Sequence, residues 1–122
     1  MLARRLPRVQ GMHPAVAQAL HSLQQGEAVR AAVQRSGYSH RRLIALFQGS
    51  TGLTPKVYAR LLRFQSVLQR QHQEALPWAE LAAWAGYSDQ AHMTRDFREI
   101  AGLTPDAWRR AAPAHAHHVP VG

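Results

Sequence analysis

The sequence predicts an all-α fold, and three observations carry that prediction. Apolar residues recur at intervals of three and four along most of the 122-residue chain, no segment alternates as a strand does, and one helical unit is written twice. The duplicated text reads Gly37-Tyr38-Ser39, Phe47 and Gly52-Leu53-Thr54-Pro55, then Gly86-Tyr87-Ser88, Phe97 and Gly102-Leu103-Thr104-Pro105. The Gly-Tyr-Ser copies lie 49 residues apart and the later pieces 50 apart, so one residue was gained or lost between the serine and the phenylalanine. One copy of about thirty residues is too small to bury a core alone. The halves are therefore expected to fold as one compact body or as two closely linked lobes.

Six or seven helices account for the chain. The first follows Pro14, whose missing N–H costs nothing in a first turn, and sets Val16, Leu20 and Leu23 on one side until Gly26 stops it. A second is expected from about Glu27 to Arg35. Gly37 then supplies a residue tolerant of positive φ, and Ser39 is placed to cap a third helix running to about Ser50. In that helix Leu43, Leu46, Phe47 and Ser50 share one side, leaving Arg41, Ile44, Ala45 and Gln48 on the other. Thr54-Pro55 opens the longest helix, to about Gln73, and twenty residues there would span roughly 30 Å. Its expected apolar row is Val57, Leu61, Phe64 and Leu68, with Lys56, Arg60, Arg63 and Arg70 on a different face. The second copy repeats the scheme. Pro77 opens a helix through Trp78, Leu81, Ala82 and Ala85; Gly86 turns the chain; and Ser88 is expected to cap a helix from about Asp89 to Ala101. Met93, Phe97 and Ile100 form its core row, and Ala91, Thr94, Arg95 and Arg98 point away. Thr104-Pro105 caps a last short helix through Trp108 to about Ala112, and the Pro, Ala and His residues from Pro113 to Gly122 carry no period and read as a disordered tail.

The composition narrows the partner. Fifteen Lys and Arg against seven Asp and Glu give a formal charge of +8 and a pI near 11.5, a bias toward polyanions such as nucleic acid or an anionic membrane. No run of eighteen apolar residues exists, and the first twelve residues lack the apolar core of a signal peptide, so a cytoplasmic, nucleoid-associated protein that does not enter a membrane is expected. The absence of cysteine excludes disulfides, thiolate metal sites and cysteine nucleophiles. His115, His117 and His118 lack carboxylate or thiolate partners nearby in sequence, and the hydroxyls and carboxylates fall at caps and exposed faces. No metal, cofactor or catalytic activity is expected.

A helix, a sharp glycine turn and a capped second helix with one apolar and one polar face make a helix-turn-helix. The small Ala82 lets the second helix cross the first, the glycine makes the corner, and the capped N-terminus directs free N–H groups outward, where a phosphate is favoured. Such segments also occur in proteins that never touch DNA. Two copies on a basic chain strengthen the reading, and a straight connector of roughly 30 Å is close to the 34 Å or so at which successive major-groove faces recur. One monomer would then read two adjacent half-sites.

The stretch GYSHRRLIALFQGSTGLTPKVYARLLR, followed by WAELAAWAGYSDQAHMTRDFREIAGLTPDAWRR, resembles the DNA-binding domain of the AraC/XylS family of bacterial transcription regulators. With the leading helix, the likeness spans about Met12 to Ala112. It implies seven helices and two helix-turn-helix subdomains joined by a long connector: an arm or linker remnant at 1–12, subdomains at 13–53 and 74–112, the connector at 54–73 and a tail at 113–122. It also implies double-stranded DNA as partner, RNA polymerase as a recruited partner, and base contacts by Arg41, Ile44 and Ala45 in the first reading helix and Gln90, Ala91, His92, Thr94 and Arg95 in the second. Ser39, Gln48, Ser88 and Arg98 are placed for phosphates. Val33, Met93 and Trp108 depart from common family residues by tolerable changes of core volume. Most members carry a sensor or dimerisation domain, so the chain either resembles the short single-domain members or is the reading half of a longer regulator.

Competing readings remain beside these. Arg95 either makes a bidentate contact to guanine O6 and N7, or neutralises a phosphate or pairs with a nearby carboxylate. Arg41 sits near a helix N-terminus, where a cation is unfavourable without a phosphate close by. Ile44 and Ala45 suit a thymine methyl or nothing, so the first half reads sequence weakly. The stripe Lys56, Arg60, Arg63 and Arg70 reads as solvated or internally paired, and Tyr38, Tyr87, Trp78, Trp84 and Trp108 read as core or half-buried packing residues. A nonspecific or architectural DNA binder and a protein-interaction module are the alternatives to a sequence-specific regulator.

Overall fold

A computed structural model describes residues 11–111. Among them are seven α-helices and no strand: α1 (Pro14–Gln24), α2 (Val29–Ser36), α3 (His40–Thr51), α4 (Pro55–Gln73), α5 (Trp78–Ala85), α6 (Gln90–Asp96) and α7 (Pro105–Ala111), with a π-helical segment, Phe97–Ala101, continuing from α6. The segments predicted as an N-terminal arm and as a disordered tail, with His115, His117 and His118, lie outside the described residues. The chain forms two compact units that divide within α4, one up to Arg60 and one from Leu61.

Local chemistry sets most boundaries. The Nδ1 of His13 accepts from the Ala15 N–H at 3.0 Å and opens α1; Thr54 Oγ1 accepts from Val57 at 3.2 Å to open α4, and Thr104 Oγ1 from Ala107 at 3.1 Å to open α7. Gly37 and Gly86 end α2 and α5 at φ of 78° and 92°. A Cβ would meet nothing within 4 Å at either, so the left-handed backbone, not space, calls for glycine. The two corners are nevertheless stitched differently. After α5 the Tyr87 N–H donates to the Ala82 carbonyl at 2.9 Å, closing a Schellman turn, whereas after α2 the Tyr38 N–H donates to Ser36 Oγ at 3.0 Å.

In the first unit α1 packs on α2 and α3, burying Val16, Leu23, Ala32, Leu43 and Phe47, and the Phe47 ring lies 5.8 Å from that of Tyr58. In the second, Phe64, Val67, Trp78, Leu81, Met93 and Phe97 share a core against which Leu68, Ile100 and Trp108 pack. Phe97 stands edge-on to Phe64 at 4.8 Å and to Trp78 at 5.6 Å. The Trp78 indole N–H donates to Asp106 at 2.9 Å while the Arg109 guanidinium lies 4.2 Å over its ring, tying α7 to the start of α5.

Two expectations are corrected. The apolar row of α4 is not Val57, Leu61, Phe64 and Leu68: Val57 and Leu61 are exposed, and Val67 and Gln71 turn inward beside Phe64, the Gln71 Oε1 accepting from the Leu76 N–H at 3.1 Å. Trp84, 49% exposed, and Tyr38, 39% exposed, stand at the outer limit of half-buried packing: Trp84 lies on the outer side of α5 under the Arg70 guanidinium, 5.0 Å from its ring, and Tyr38 stands edge-on to His13 at 5.6 Å. Asp89, not Ser88, caps α6, its carboxylate accepting from the His92 N–H at 2.8 Å.

That last correction explains the broken spacing of the repeat. Each capped helix runs from its cap to a left-handed glycine, Ser39 to Gly52 and Asp89 to Gly102, over the same number of residues. The additional residue sits in the second turn, ahead of the cap, and the two capped helices are in register by fifty: Leu43 with Met93 and Phe47 with Phe97, all four fully buried.

Candidate nucleic-acid interface

Helices α2 and α3 form one helix-turn-helix, α5 and α6 the other. Burying Leu43 and Phe47 leaves Arg41, Arg42, Ala45 and Gln48 exposed and Ile44 half-buried on α3. Burying Met93 and Phe97 leaves Gln90, Ala91, Arg95 and Arg98 exposed, with His92 and Thr94 half-buried, on α6 and its continuation. Every residue expected at bases or phosphates, Ser39 and Ser88 included, thus stands outside the core of its own unit. Counted from the caps, Arg41 corresponds to Ala91, Ile44 to Thr94, Ala45 to Arg95, and Gln48 to Arg98, so equivalent positions carry different chemistry.

At the start of α3 the Ser39 hydroxyl accepts from the Arg42 N–H at 3.1 Å, and two guanidinium-bearing side chains follow in the first turn. At the start of α6 the cap is a carboxylate. Ser88 Oγ lies 3.2 Å from Nδ1 of His92, whose ring stands edge-on to that of Tyr87 at 4.9 Å. These two contacts hold the imidazole of His92 beside the exposed Ala91 and Arg95.

Beneath α6 is a polar support that the sequence pattern hid. Asp96 is buried at the position where α3 has Leu46, and its Oδ2 accepts from the Tyr87 hydroxyl at 2.9 Å; the Arg63 guanidinium sits 4.8 Å over the Tyr87 ring. The mismatch between Leu46 and Asp96 in two otherwise matching core rows was the available signal. Burial, then the hydrogen bond and charge of Asp96, push the Tyr87 phenol well above its ordinary 10.0, with Arg63 pulling weakly the other way. A raised phenol stabilises the fold fully below the pH at which the unfolded tyrosine ionises, and that contribution is lost as pH rises beyond it. Denaturant titrations from about pH 8 to 11 are therefore expected to give a stability that falls above about pH 10, and a shallower fall for Tyr87→Phe. Equal slopes for the two proteins would remove this role.

Of the predicted basic stripe, Arg63 and Arg70 are engaged internally, Arg70 also lying 3.6 Å from Glu74, and Lys56 is exposed. The residue that sequence reasoning passed over is Arg42, which lies beside Arg41 in the first turn of α3. No described helix is long and apolar enough to cross a membrane, and no group of three metal-ligating side chains occurs among the described residues.

A family model described as a helix-turn-helix domain matches residues 32–111, from within α2 to the end of α7. No curated protein and no solved structure matches the chain.

Proposed function

Because the chain belongs to the AraC-type helix-turn-helix family of DNA-binding proteins, we propose that it is a sequence-specific transcription regulator that sets α3 and α6 in adjacent major-groove segments of double-stranded DNA. The observation that carries the reading is the matched pair of exposed faces. Two capped helices in register bury the same two positions and turn the same outward positions, Arg41, Ala45 and Gln48 on one and Ala91, Arg95 and Arg98 on the other, to solvent, as a helix lying in a groove requires. In this reading Arg95 is the chief base contact, flanked by Gln90, Ala91, His92 and Thr94. Ile44 and Ala45 face the groove from α3, Arg41 meets a base edge or a phosphate beside them, and Ser39, Gln48, Ser88 and Arg98 meet phosphates. Recruitment of RNA polymerase, and control by a sensor or dimerisation domain outside this chain, rest on the family alone.

The alternative of a charge-driven, sequence-indifferent binder is favoured by the +8 formal charge. Several rounds of selection from a random duplex pool at near-physiological salt separate the two. A regulator enriches an asymmetric motif in two blocks about one helical turn apart. Strong binding without an enriched motif overturns the regulator in favour of the charge-driven binder, and no binding even at low salt leaves a protein-interaction module.

A further inference from the structure

The two units carry the same architecture and unequal charge. Residues 1–60 hold a single carboxylate, Glu27, which is tied to Arg35, so Arg41, Arg42 and Lys56 are left uncompensated and exposed. In residues 61–122, Arg63, Arg70, Arg95, Arg98, Arg109 and Arg110 are met one for one by Glu74, Glu80, Asp89, Asp96, Glu99 and Asp106. The whole formal charge of +8 therefore belongs to the first unit.

The reading faces differ in the same sense. On α3 two guanidinium groups in the first turn are followed by Ile44 and Ala45, which offer no hydrogen bond to a base edge. On α6 the corresponding positions are Thr94 and Arg95, with His92 held beside them by Ser88 and Tyr87. A unit without net charge gains little from an arbitrary polyanion. The exposed Asp89 at the cap of α6 and the exposed Glu99 beyond it are repelled by any backbone that approaches, a cost that base contacts must offset.

We infer that the units divide the work of binding: the first grips phosphates through Arg41 and Arg42 with little regard to sequence, and the second discriminates between sequences through the face centred on Arg95. The inference rests on the regulator reading above.

The test uses the full chain, a duplex selected from the random pool and a scrambled duplex of equal length and composition. Affinities are measured by fluorescence anisotropy between about 50 and 200 mM salt, where phosphate contacts dominate the slope. The double variant R41Q/R42Q should weaken both duplexes by the same factor, keep their affinity ratio, and flatten the plot of log K against log salt by about 1.8, at about 0.9 per phosphate contact. Arg95→Ala should reduce the ratio roughly 5- to 150-fold and change the slope by less than about 1. If R41Q/R42Q collapses the ratio, or Arg95→Ala flattens the slope as much as the double variant does, the division of labour is overturned while the regulator reading stands. If the unmodified chain binds both duplexes equally, the regulator reading falls and the division falls with it.

Discussion

Phe97→Ala is expected to lower the unfolding free energy by about 3–5 kcal/mol, the range for deleting a buried aromatic side chain. Phe97 is fully buried, and rings stand around it on three sides: Phe64 at 4.8 Å, Trp78 at 5.6 Å and Trp108 at 6.1 Å. Those side chains come from α4, α5 and α7, each anchored separately by a cap or by the Trp78–Asp106 hydrogen bond, so the site cannot collapse around a methyl group without breaking another contact. A domain of ordinary size has only about 5–15 kcal/mol in hand. Denaturant midpoints for the variant and the unmodified chain measure the cost. A loss below about 1.5 kcal/mol would mean that the cavity is filled by relaxation and that the aromatic cluster is not the centre of the second unit.

Phe97 was legible in the sequence because it appears twice, as Phe47 and as Phe97, at the same distance before Gly-Leu-Thr-Pro. The helices were legible for a related reason: Pro in the first turn, Thr and Ser before it, and Gly after the last turn are local devices whose geometry does not depend on distant packing. Where two such devices compete, the local signal fails. Ser88 and Asp89 are both good caps, and only the packing of Met93 and Phe97 decides which of them starts α6. In α4 a single row of apolar residues was expected along a helix that belongs to two units, and Val57 and Leu61 satisfied the period without being buried. Asp96 was passed over on the opposite ground. A buried carboxylate breaks the apolar pattern and is tolerated because the Tyr87 hydroxyl donates to it. The exposed faces of α3 and α6 were readable as soon as their core rows were known, since amphipathic spacing fixes the outward side together with the inward one. The uneven charge of the two faces became legible only when the chain was divided into units.

Arg95→Ala is expected to cost about 1–3 kcal/mol on the selected duplex and little on the scrambled one, which is the signature of a lost base contact. The side chain is exposed on α6 between the buried Met93 and Phe97, and the Asp96 that follows it is turned into the core toward Tyr87, so Arg95 extends outward from a rigidly seated turn. Substitution by lysine then identifies the contact. A planar guanidinium meets guanine O6 and N7 with two parallel N–H donors, whereas an ammonium is a compact point charge that serves a phosphate nearly as well. Under the base-reading assignment Arg95→Lys keeps the salt slope yet recovers only part of the discrimination, the loss falling at one base pair of the selected site. Full recovery by lysine, with equal losses for Arg95→Ala on both duplexes, would make Arg95 a phosphate contact. Sequence reading would then fall to His92, Thr94 and Gln90, the remaining hydrogen-bonding side chains proposed for bases on α6.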